Sequence, residues 1–510
     1  MRIRALWAAV LAVVTCAGVV AVGETPAVAA APTVGLSNAN GTILRSGQPA
    51  STVLVSGTGF TAGEGVDVYF DTTDEALATA SSAGTFSGVA VTIPASAAPG
   101  IHYVSAVGRH SGLGGQAEFV VSTDWAQFRD GVRHHGYNST ENVLSPSNVS
   151  GIDMAWSFAT GNSIDSSPAV ATQVTIGRLG MGLVTTGRVF IGSTDDKLYA
   201  LNAATGAQLW AFTTTGAVES SPAVSGNTVF AGSDDGNVYA LNATTGAKIW
   251  SFTIGSPVSS PAVAGGVVYA ASENGDVHAL NAATGALMWS FVTGSFIGTS
   301  PSVAGGRIYI GANNGNVYAL NAATGAQVWS VSLGSGAVSD STAVAYGKVY
   351  VGTDNGNLYA LNAATGAQVW SASEIGPTSP AVANGVVYAG SSEGGVYAFN
   401  AFTGAQLWSF PNGSSVESSP ALANGVLYIG ATDDNVYALN AATGAELWTF
   451  TTGNIVRSSP AVSNGVLYVG STDDNVYAFD LAGGTAAPNR PVLSHLHPNY
   501  TLRPQHGQTS

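Results

Sequence analysis

The sequence predicts an all-β protein: an eight-bladed β-propeller of four-stranded antiparallel blades, preceded by a small β-sandwich. A motif of the form YALNAATGAQLW occurs seven times with a period of about 40 residues, and such a period is typical of stacked supersecondary units. Each repeat holds four short apolar runs separated by Asp-Gly, Asn-Gly or Thr-Gly turns. Within the repeat, no segment has the apolar period of an amphipathic helix.

The first 30 residues have the features of a secretory signal peptide. Arg2 and Arg4 precede an apolar stretch over residues 5–23, and residues 27–29 (AVA) supply small side chains for cleavage. The alternative is an uncleaved anchor helix, since about 19 apolar residues nearly span a bilayer. Cys16 is the one cysteine, so the mature chain would hold no disulfide or thiolate site. We expect a secreted or cell-surface protein, either free or bound to the cell wall.

The net charge of −15 limits the partners. An acidic chain does not favour phosphate backbones or anionic membranes, so we expect no nucleic-acid partner and no membrane span after signal cleavage. The balance is compatible with metal cations or neutral ligands.

Residues 31–122 are predicted to form the β-sandwich. Six or seven runs such as STVLVSG and IHYVSAV alternate apolar and polar residues between Gly, Pro and Ser turns. The words SGTGFTAGEGVDVYFD and PASAAPGIHYVSAVG resemble immunoglobulin-like modules of exported bacterial proteins, and this resemblance implies a spacer or adhesive unit. We expect His102 and His110 to be surface or hydrogen-bonded strand residues.

Residues 123–152 are predicted to be a linker, and residues 153–484 to be the propeller. In the linker, His134 and His135 lack a third ligand at compact spacing, so we favour a solvated loop over a metal site. The last repeat, YAFDLAGG, has lost its Trp, whereas DMAWSFAT (Asp153–Thr160) is a fourth strand with no blade before it. We therefore predict that this strand completes the last blade and closes the ring.

Two segments are predicted to be irregular. The insertion QVTIGRLGMGLVTT in the first repeat is expected to be a surface loop. The Pro-rich tail over residues 485–510 is expected to be disordered.

The pattern A-x-N-x-x-T-G-x-x-x-W, as in Ala200–Trp210, resembles the tryptophan-docking motif of quinoprotein-type propellers, the PQQ-like repeat or BamB-like family. The resemblance implies that each Trp stacks on the Ala and Gly of a neighbouring copy. It also implies that the W-x-x-F-R segment before the first repeat packs on the propeller as a plug or strap. The expected structural docking residues are Trp156, Trp210, Trp250, Trp289, Trp329, Trp370, Trp408 and Trp448.

The same resemblance leaves enzymatic activity open. The family includes dehydrogenases that use pyrroloquinoline quinone (PQQ) with calcium, and non-enzymatic scaffolds of the BamB type, so PQQ and calcium are candidate cofactors by resemblance. The dehydrogenases carry an adjacent cysteine pair and long insertions, which the mature repeats lack. We therefore expect no cofactor and no catalytic residues.

Residues that differ between copies are where a site could be added to a repeated scaffold. Those just before the Ser-Ser-Pro text are expected at the channel mouth, where they either bind a ligand or only form salt bridges. The candidate ligand-binding residues are Asp165, Glu219, Asp340, Glu417 and Arg457. The acidic turns between second and third strands are interpreted as solvated turns rather than weak calcium sites or a docking face for a basic partner.

The resulting functional prediction is an exported, monomeric, non-catalytic binding or scaffold protein. Its propeller face and channel mouth would recognise a protein, a cell-envelope ligand or a small molecule. One alternative is a PQQ- and calcium-dependent dehydrogenase-like oxidoreductase. Another is an extracellular glycan-binding protein, which would need exposed aromatic residues.

Overall fold

The computed structural model describes residues 31–176, 183–334, 336–373, 376, 378–482 and 489–505. The predicted signal peptide lies outside the described residues. Regular structure in the described residues is β-strand apart from 3-10 turns at Val149–Gly151 and Leu493–His495. None of the described helical turns is long and apolar enough to cross a bilayer.

Residues 31–122 form two sheets that share one hydrophobic core, here called the N-terminal unit. Its strands are β1 Thr33–Ser37, β2 Ser46–Gly47, β3 Thr52–Thr58, β4 Gly65–Phe70, β5 Thr73–Thr79, β6 Phe86–Thr92, β7 Gly100–Gly108 and β8 Gly114–Val121. The five-stranded sheet has the order β2-β8-β7-β4-β5, and the three-stranded sheet has the order β1-β3-β6. Alternate residues such as Val66 and Val68 of β4 and Val104 of β7 point into the core between them.

The repeats form a series of four-stranded antiparallel sheets, numbered one to eight in chain order. Sheet one comprises β11 Ala169–Ile176, β12 Leu183–Ser193, β13 Lys197–Asn202 and β14 Gln208–Thr213, and sheet two comprises β15 Ala223–Ser225, β16 Thr228–Gly232, β17 Asn237–Asn242 and β18 Lys248–Thr253. Sheet three comprises β19 Ala262–Ala264, β20 Val267–Ala271, β21 Asp276–Asn281 and β22 Leu287–Val292, and sheet four comprises β23 Ser302–Ala304, β24 Arg307–Gly311, β25 Asn316–Asn321 and β26 Gln327–Ser332.

Sheets five to eight repeat the same plan. Sheet five comprises β27 Ala343–Ala345, β28 Lys348–Thr353, β29 Asn357–Asn362 and β30 Gln368–Ala372, and sheet six comprises β31 Ala381–Ala383, β32 Val386–Gly390, β33 Val396–Asn400 and β34 Gln406–Phe410. Sheet seven comprises β35 Ala421–Ala423, β36 Val426–Gly430, β37 Asn435–Asn440 and β38 Glu446–Thr451, and sheet eight comprises β39 Ala461–Ser463, β40 Val466–Gly470 and β41 Asn475–Leu481 with β10 Ile152–Ala159. A two-residue strand, β9 Tyr137–Asn138, pairs with β35.

Sheet eight is completed from the other end of the repeat region. Its order is β10-β41-β40-β39, and β10 pairs antiparallel with β41 from Ile152↔Leu481 to Ala159↔Asn475. The fourth strand that the decayed last repeat lacks is therefore supplied by the segment predicted from the sequence.

A tryptophan joins each sheet to the next. The indole Nε1 of Trp156 on β10 donates to the Ala203 carbonyl of sheet one at 2.9 Å, and a Cβ on Gly206 would lie 2.6 Å from the Trp156 ring. Six further tryptophans repeat these contacts, namely Trp210, Trp250, Trp289, Trp329, Trp370 and Trp408, donating to Ala243, Ala282, Ala322, Ala363, Ala401 and Ala441. Each of these seven indoles thus contacts the next sheet, as the docking motif implies.

The last docking contact is different because the last repeat has decayed. Trp448 of sheet seven donates to the Ile152 carbonyl at 3.2 Å. Ile152 begins β10, so the strand that completes sheet eight also supplies the acceptor for its neighbour's tryptophan.

Two segments differ from the sequence prediction. The insertion of the first repeat lengthens β11 and β12 into a paired hairpin up to Ile176↔Leu183, and only residues 177–182 lie outside the described residues. In the tail predicted to be disordered, residues 489–505 make hydrogen bonds to the N-terminal unit, for example from the Gln505 amide to the Leu77 carbonyl at 2.7 Å. Residues 483–488 and 506–510 of that tail lie outside the described residues.

We predict that Gly206→Ala destabilises the protein more than Gly305→Ala. Gly206 has a φ of +70° and faces the Trp156 ring, whereas Gly305 has a φ of +56° with no atom within 4 Å of the position that a Cβ would take. Backbone strain should cost about 1–2 kcal/mol in both variants, and overpacking against the indole should add about 1–3 kcal/mol at Gly206. Urea unfolding measures both, and equal losses would contradict the docking role of Gly206.

Candidate functional site

A ring of hydroxyl groups lines the inner ends of the sheets. The Ser167 amide of sheet one donates to Ser221 Oγ of sheet two at 2.9 Å. The Ser459 amide of sheet eight donates to Ser167 Oγ at 2.9 Å, which links the last sheet to the first. The other links of this kind run from Ser221 to Ser260, Ser300 to Ser341, Ser341 to Ser379 and Ser419 to Ser459. The bonds run through sheets seven, eight, one, two and three and, separately, through sheets four, five and six, and we call the space that these first strands enclose the central channel.

Residues 123–152, here called the strap, pass once around that channel. The Trp125 carbonyl accepts the Val170 amide of sheet one at 2.7 Å, and the Gly136 carbonyl accepts the Leu422 amide of sheet seven at 2.7 Å. Between and beyond these contacts, the strap meets the first strand of every sheet in order. Its partners are Val170, Val224, Val263, Val303, Val344, Val382, Leu422 and Val462.

The strap lies at the end of the channel away from the predicted mouth. In sheet one, its partner Val170 follows the mouth residue Asp165 by five positions, which allows a separation of at most about 18 Å. We call the end at Asp165 the mouth and the end at the strap the floor.

Three of the predicted site residues meet at the mouth. Arg457 Nε of sheet eight donates to Glu417 Oε2 of sheet seven at 2.8 Å, and Arg457 Nη1 lies 3.8 Å from Asp165 Oδ1 of sheet one. The hydrogen bond with Glu417 and the charge of Asp165 raise the pKa of Arg457 further above its usual range. Because Arg457 and Glu417 are both well exposed, this ion pair contributes only about 0–1 kcal/mol to stability.

Glu219 lies beside this cluster, in an acidic cavity. The cavity of about 210 Å³ is lined by Glu219, Asp234 and Glu273 together with Pro257 and Gly298. Burial and the neighbouring carboxylates raise the pKa of Glu219 and of Asp234. Among the described residues, no three His, Cys, Asp or Glu side chains are grouped to hold a metal ion.

The acidic turns serve the fold. Asp195 accepts the Tyr199 hydroxyl and, at 2.9 Å, the Gly161 amide of the preceding sheet. Burial alone would raise the pKa of Asp195, but these hydrogen bonds and Lys197 lower it overall. The next residue, Asp196, has a φ of +65° and occupies the left-handed turn position. The prediction of simply solvated turns was therefore incomplete, because one carboxylate of the pair links adjacent sheets.

Asp340 does not lie with the other mouth residues. The Ser300 amide donates to Ser341 Oγ and the Ser341 amide donates to Ser379 Oγ, each at 2.9 Å, so Ser341 holds the second hydroxyl position of its sheet. Asp340 therefore replaces the first hydroxyl, one position deeper than the sequence predicted. The text DSTAV lacks the Pro that fixes the alignment in the other repeats, which explains the one-residue error.

Asp340 faces a buried cation from the strap, Arg129. Arg129 is 2% exposed, and its Nη1 donates to the Ser341 carbonyl at 3.4 Å. Its Nε and Nη2 have no hydrogen-bond partner among the described residues. Burial lowers the pKa of Arg129 to about 9, and Asp340 opposes the change. Burial and Asp354 raise the pKa of Asp340 to about 7, with Arg129 opposing.

The histidine pair of the strap is also part of the floor. His134 is fully buried and packs edge-on against Phe128, with ring centroids 5.3 Å apart. Burial and nearby Arg129 lower the pKa of His134 well below its usual range and that of His135 to about 4. Both rings are therefore neutral at physiological pH, and the solvated loop expected from the sequence was wrong.

The mouth and the floor differ in charge and burial. The mouth presents a partly neutralised cation among carboxylates, and at the floor the strap is hydrogen-bonded to the sheets and carries the buried Arg129 and His134. Sequence reasoning missed Arg129, although it lies in the W-x-x-F-R segment that was expected to pack on the propeller.

We predict that Asp340→Asn reduces the pH dependence of stability. The pKa of Asp340 is about 7 in the folded chain against an ordinary value of 3.8, so the folded state binds the proton more tightly. Its contribution is full below about pH 4 and is lost as pH rises through about 7. The parent should lose up to about 4 kcal/mol more than Asp340→Asn over this range.

Urea unfolding from about pH 4 to about pH 8 measures this difference. Asp153→Asn, at an exposed position on β10, is the control and should follow the parent. Parallel curves for the parent and Asp340→Asn would contradict the assignment.

Comparison with known proteins gives one family match. The family described as outer membrane protein assembly factor BamB matches residues 149–258, 234–374, 313–420 and 392–489, which together span residues 149–489 of the 510. Among curated proteins, none matches the sequence.

Solved structures resemble the repeat region. BamB from Moraxella catarrhalis has a TM-score of 0.54 at 20% identity, with 64% of this chain and 99% of that chain covered. Quinohemoprotein alcohol dehydrogenase ADHIIG from Pseudomonas putida HK5 has a TM-score of 0.59 at 16% identity, covering 72% and 82%. A europium-containing methanol dehydrogenase has a TM-score of 0.58 at 14% identity, covering 70% and 98%. At such identities the likeness shows a shared β-propeller fold alone.

Proposed function

This chain belongs to the family of the outer membrane protein assembly factor BamB, and from that premise we propose that it is an exported, non-catalytic binding or scaffold protein. Its channel mouth would recognise a protein or another cell-envelope ligand. The name of the family describes an assembly factor, and assembly factors act on other proteins.

The proposal includes a specific architecture. The eight repeat sheets are the blades of one closed propeller, and the N-terminal unit is an immunoglobulin-like β-sandwich. Residues 1–30 are a cleaved secretory signal, and the mature protein acts outside the cytoplasm as a monomer. The serine link from Ser459 to Ser167 supports closure, and the shared core of the two N-terminal sheets supports a sandwich.

The position of the strap supports the proposal that the mouth is a recognition surface. It bonds to the first strand of every sheet, and its Arg129 and His134 are buried. A ligand arriving at the mouth therefore meets a charged rim, while the strap occupies the opposite end of the first strands. Such a surface favours recognition of a partner from outside over enclosure of a substrate.

The mouth residues do not fit the PQQ of the dehydrogenase alternative. PQQ is a tricarboxylate, so its pocket needs uncompensated cations. Arg457 is already bound to Glu417 at 2.8 Å and lies near Asp165, while Glu219 and Asp234 add further negative charge. The glycan alternative needs exposed aromatics, and the docking tryptophans are packed between sheets instead.

A binding titration tests the dehydrogenase alternative directly. Purified mature protein is mixed with PQQ and calcium, and binding is followed by the quenching of tryptophan fluorescence alongside dye-linked alcohol oxidation. We expect neither saturable binding nor turnover. Saturable binding with turnover that is lost in Arg457→Ala would overturn the scaffold proposal.

Photo-crosslinking tests partner recognition at the mouth. A photoreactive amino acid replaces Ser339, which is exposed at the mouth level of sheet five, or Ala283, which is exposed in a loop at the opposite end of the strands. In the native host we expect a discrete protein adduct from position 339 that disappears in Arg457→Glu, and none from position 283. Identical adducts from both positions would show that the mouth has no special role.

A further inference from the structure

The C-terminal segment, residues 489–505, begins its contact with the N-terminal unit on β8. Arg490 Nε donates to Gln116 Oε1 at 2.8 Å, and Gln116 Nε2 donates to the Pro491 carbonyl at 2.8 Å. Gln116 lies on the outer face of the five-stranded sheet, because its neighbours Ala117 and Phe119 belong to the inner core and alternate residues point to opposite faces.

The segment then crosses this outer face towards β5. Arg109, which follows β7, donates through Nη2 to the Asn499 carbonyl at 3.3 Å, and its guanidinium lies 5.2 Å from the centre of the Tyr500 ring. The Asn499 amide donates to the Asp74 carboxylate on β5. One residue of the segment is thus held through both its backbone N–H and its carbonyl.

The segment ends on the open edge of the sheet. The outermost strand is β5, and its Leu77 pairs with Pro504 in a parallel bridge. The Gln505 amide donates to the Leu77 carbonyl at 2.7 Å, and Gln505 Oε1 accepts the Ala90 amide of β6 at 3.1 Å. Gln505 therefore bridges the gap between the two sheets.

The outer face is built to be covered. Outer faces of antiparallel sheets commonly meet water, yet the outward residues Asp67 and Tyr69 of β4 are only 2% and 1% exposed. Asp67 pairs with Arg109 at 2.7 Å, and Arg109 in turn holds Asn499. Pro491 and Leu496 of the segment are buried against the molecule.

We propose that this outer face, together with the β5 edge, is a docking surface for an extended peptide, and that residues 489–505 are its occupant within the same chain. The peptide that fits has two apolar anchors five residues apart, as Pro491 and Leu496 are. They are followed by a residue bound through its backbone, as Asn499 is, and an end that adds to β5. Strand-edge addition is a recurring mode of peptide recognition. The surface belongs to the N-terminal unit, so this inference is independent of the role proposed for the mouth.

A trans-binding experiment tests the surface. Fluorescent synthetic peptide of residues 489–505 is titrated into the full-length chain carrying both Leu496→Asp and Asn499→Pro, which remove an anchor and the amide that Asp74 accepts. Wild-type chain and Val492→Asp, altered at an exposed neighbour, serve as matched controls. Because the internal occupant lowers the available fraction of sites, we expect the double variant to bind the peptide at least about tenfold more tightly than either control.

Equal binding by all three chains, or binding by none, overturns the proposal. A second measurement needs no variant. In wild-type protein the amides of Asn499 and Gln505 should exchange hydrogen at least about tenfold more slowly than in the isolated peptide, and equal exchange rates would show that the surface is not occupied.

Discussion

The indole N–H bond from each tryptophan to a carbonyl of the next sheet is the contact on which the repeat region depends. Each four-stranded sheet has a narrow apolar face and would expose its edges if it stood alone. The Trp–Gly contact places a large flat ring where no Cβ is present, and each buried ring contributes about 1.5–3 kcal/mol of apolar burial. Each contact joins one pair of neighbouring sheets, so stability increases with every sheet added and the return of the series to its start adds the final contact. Ile152 makes that return, since it begins the completing strand and accepts the bond from Trp448.

The strap adds a second constraint at the centre. A channel lined by short first strands would leave their amides and carbonyls without partners, and the strap satisfies them in order, from Val170 to Val462. This explains why polar and charged strap residues are carried inside. Arg129 and His134 are buried on a segment whose backbone is hydrogen-bonded to the sheets. The hydrogen bonds along the strap offset the free-energy cost of burying these two side chains. Asp340, placed where other sheets have a hydroxyl, is the charge that partly offsets Arg129.

The repeated sequence motif made the propeller fold, the positions of the docking tryptophans and the completing strand predictable, because each depends on the spacing of residues within one repeat of about 40 residues. The cluster of Glu417, Arg457 and Asp165 was predictable for the same reason, since these residues hold equivalent positions in consecutive copies. Asp340 was misplaced because one missing Pro shifts the alignment by one residue. The resemblance implied that the W-x-x-F-R segment packs on the propeller. The individual contacts of Arg129 and of the C-terminal segment were not predictable, since their partners lie far away in the sequence: Arg129 contacts Ser341 and Asn499 contacts Asp74. The Pro-rich, polar composition of residues 485–510 is typical of a disordered tail and contains no sign of the contacts that residues 489–505 make with the N-terminal unit.

The chain thus separates its structural residues from the residues proposed to recognise a partner. Faithfully copied residues such as Trp210 and Gly246 pack between neighbouring sheets, where any change breaks a contact between them. The charges that differ from sheet to sheet lie at the mouth, where a substitution alters the surface without altering the sheet. Arg457 is an example. The equivalent position is Glu417 in sheet seven and Asp165 in sheet one, and the arginine between them joins both carboxylates into one polar cluster. A series of near-identical sheets acquires a distinct charged side in this way, because one position differs in charge from its equivalents in the adjacent sheets.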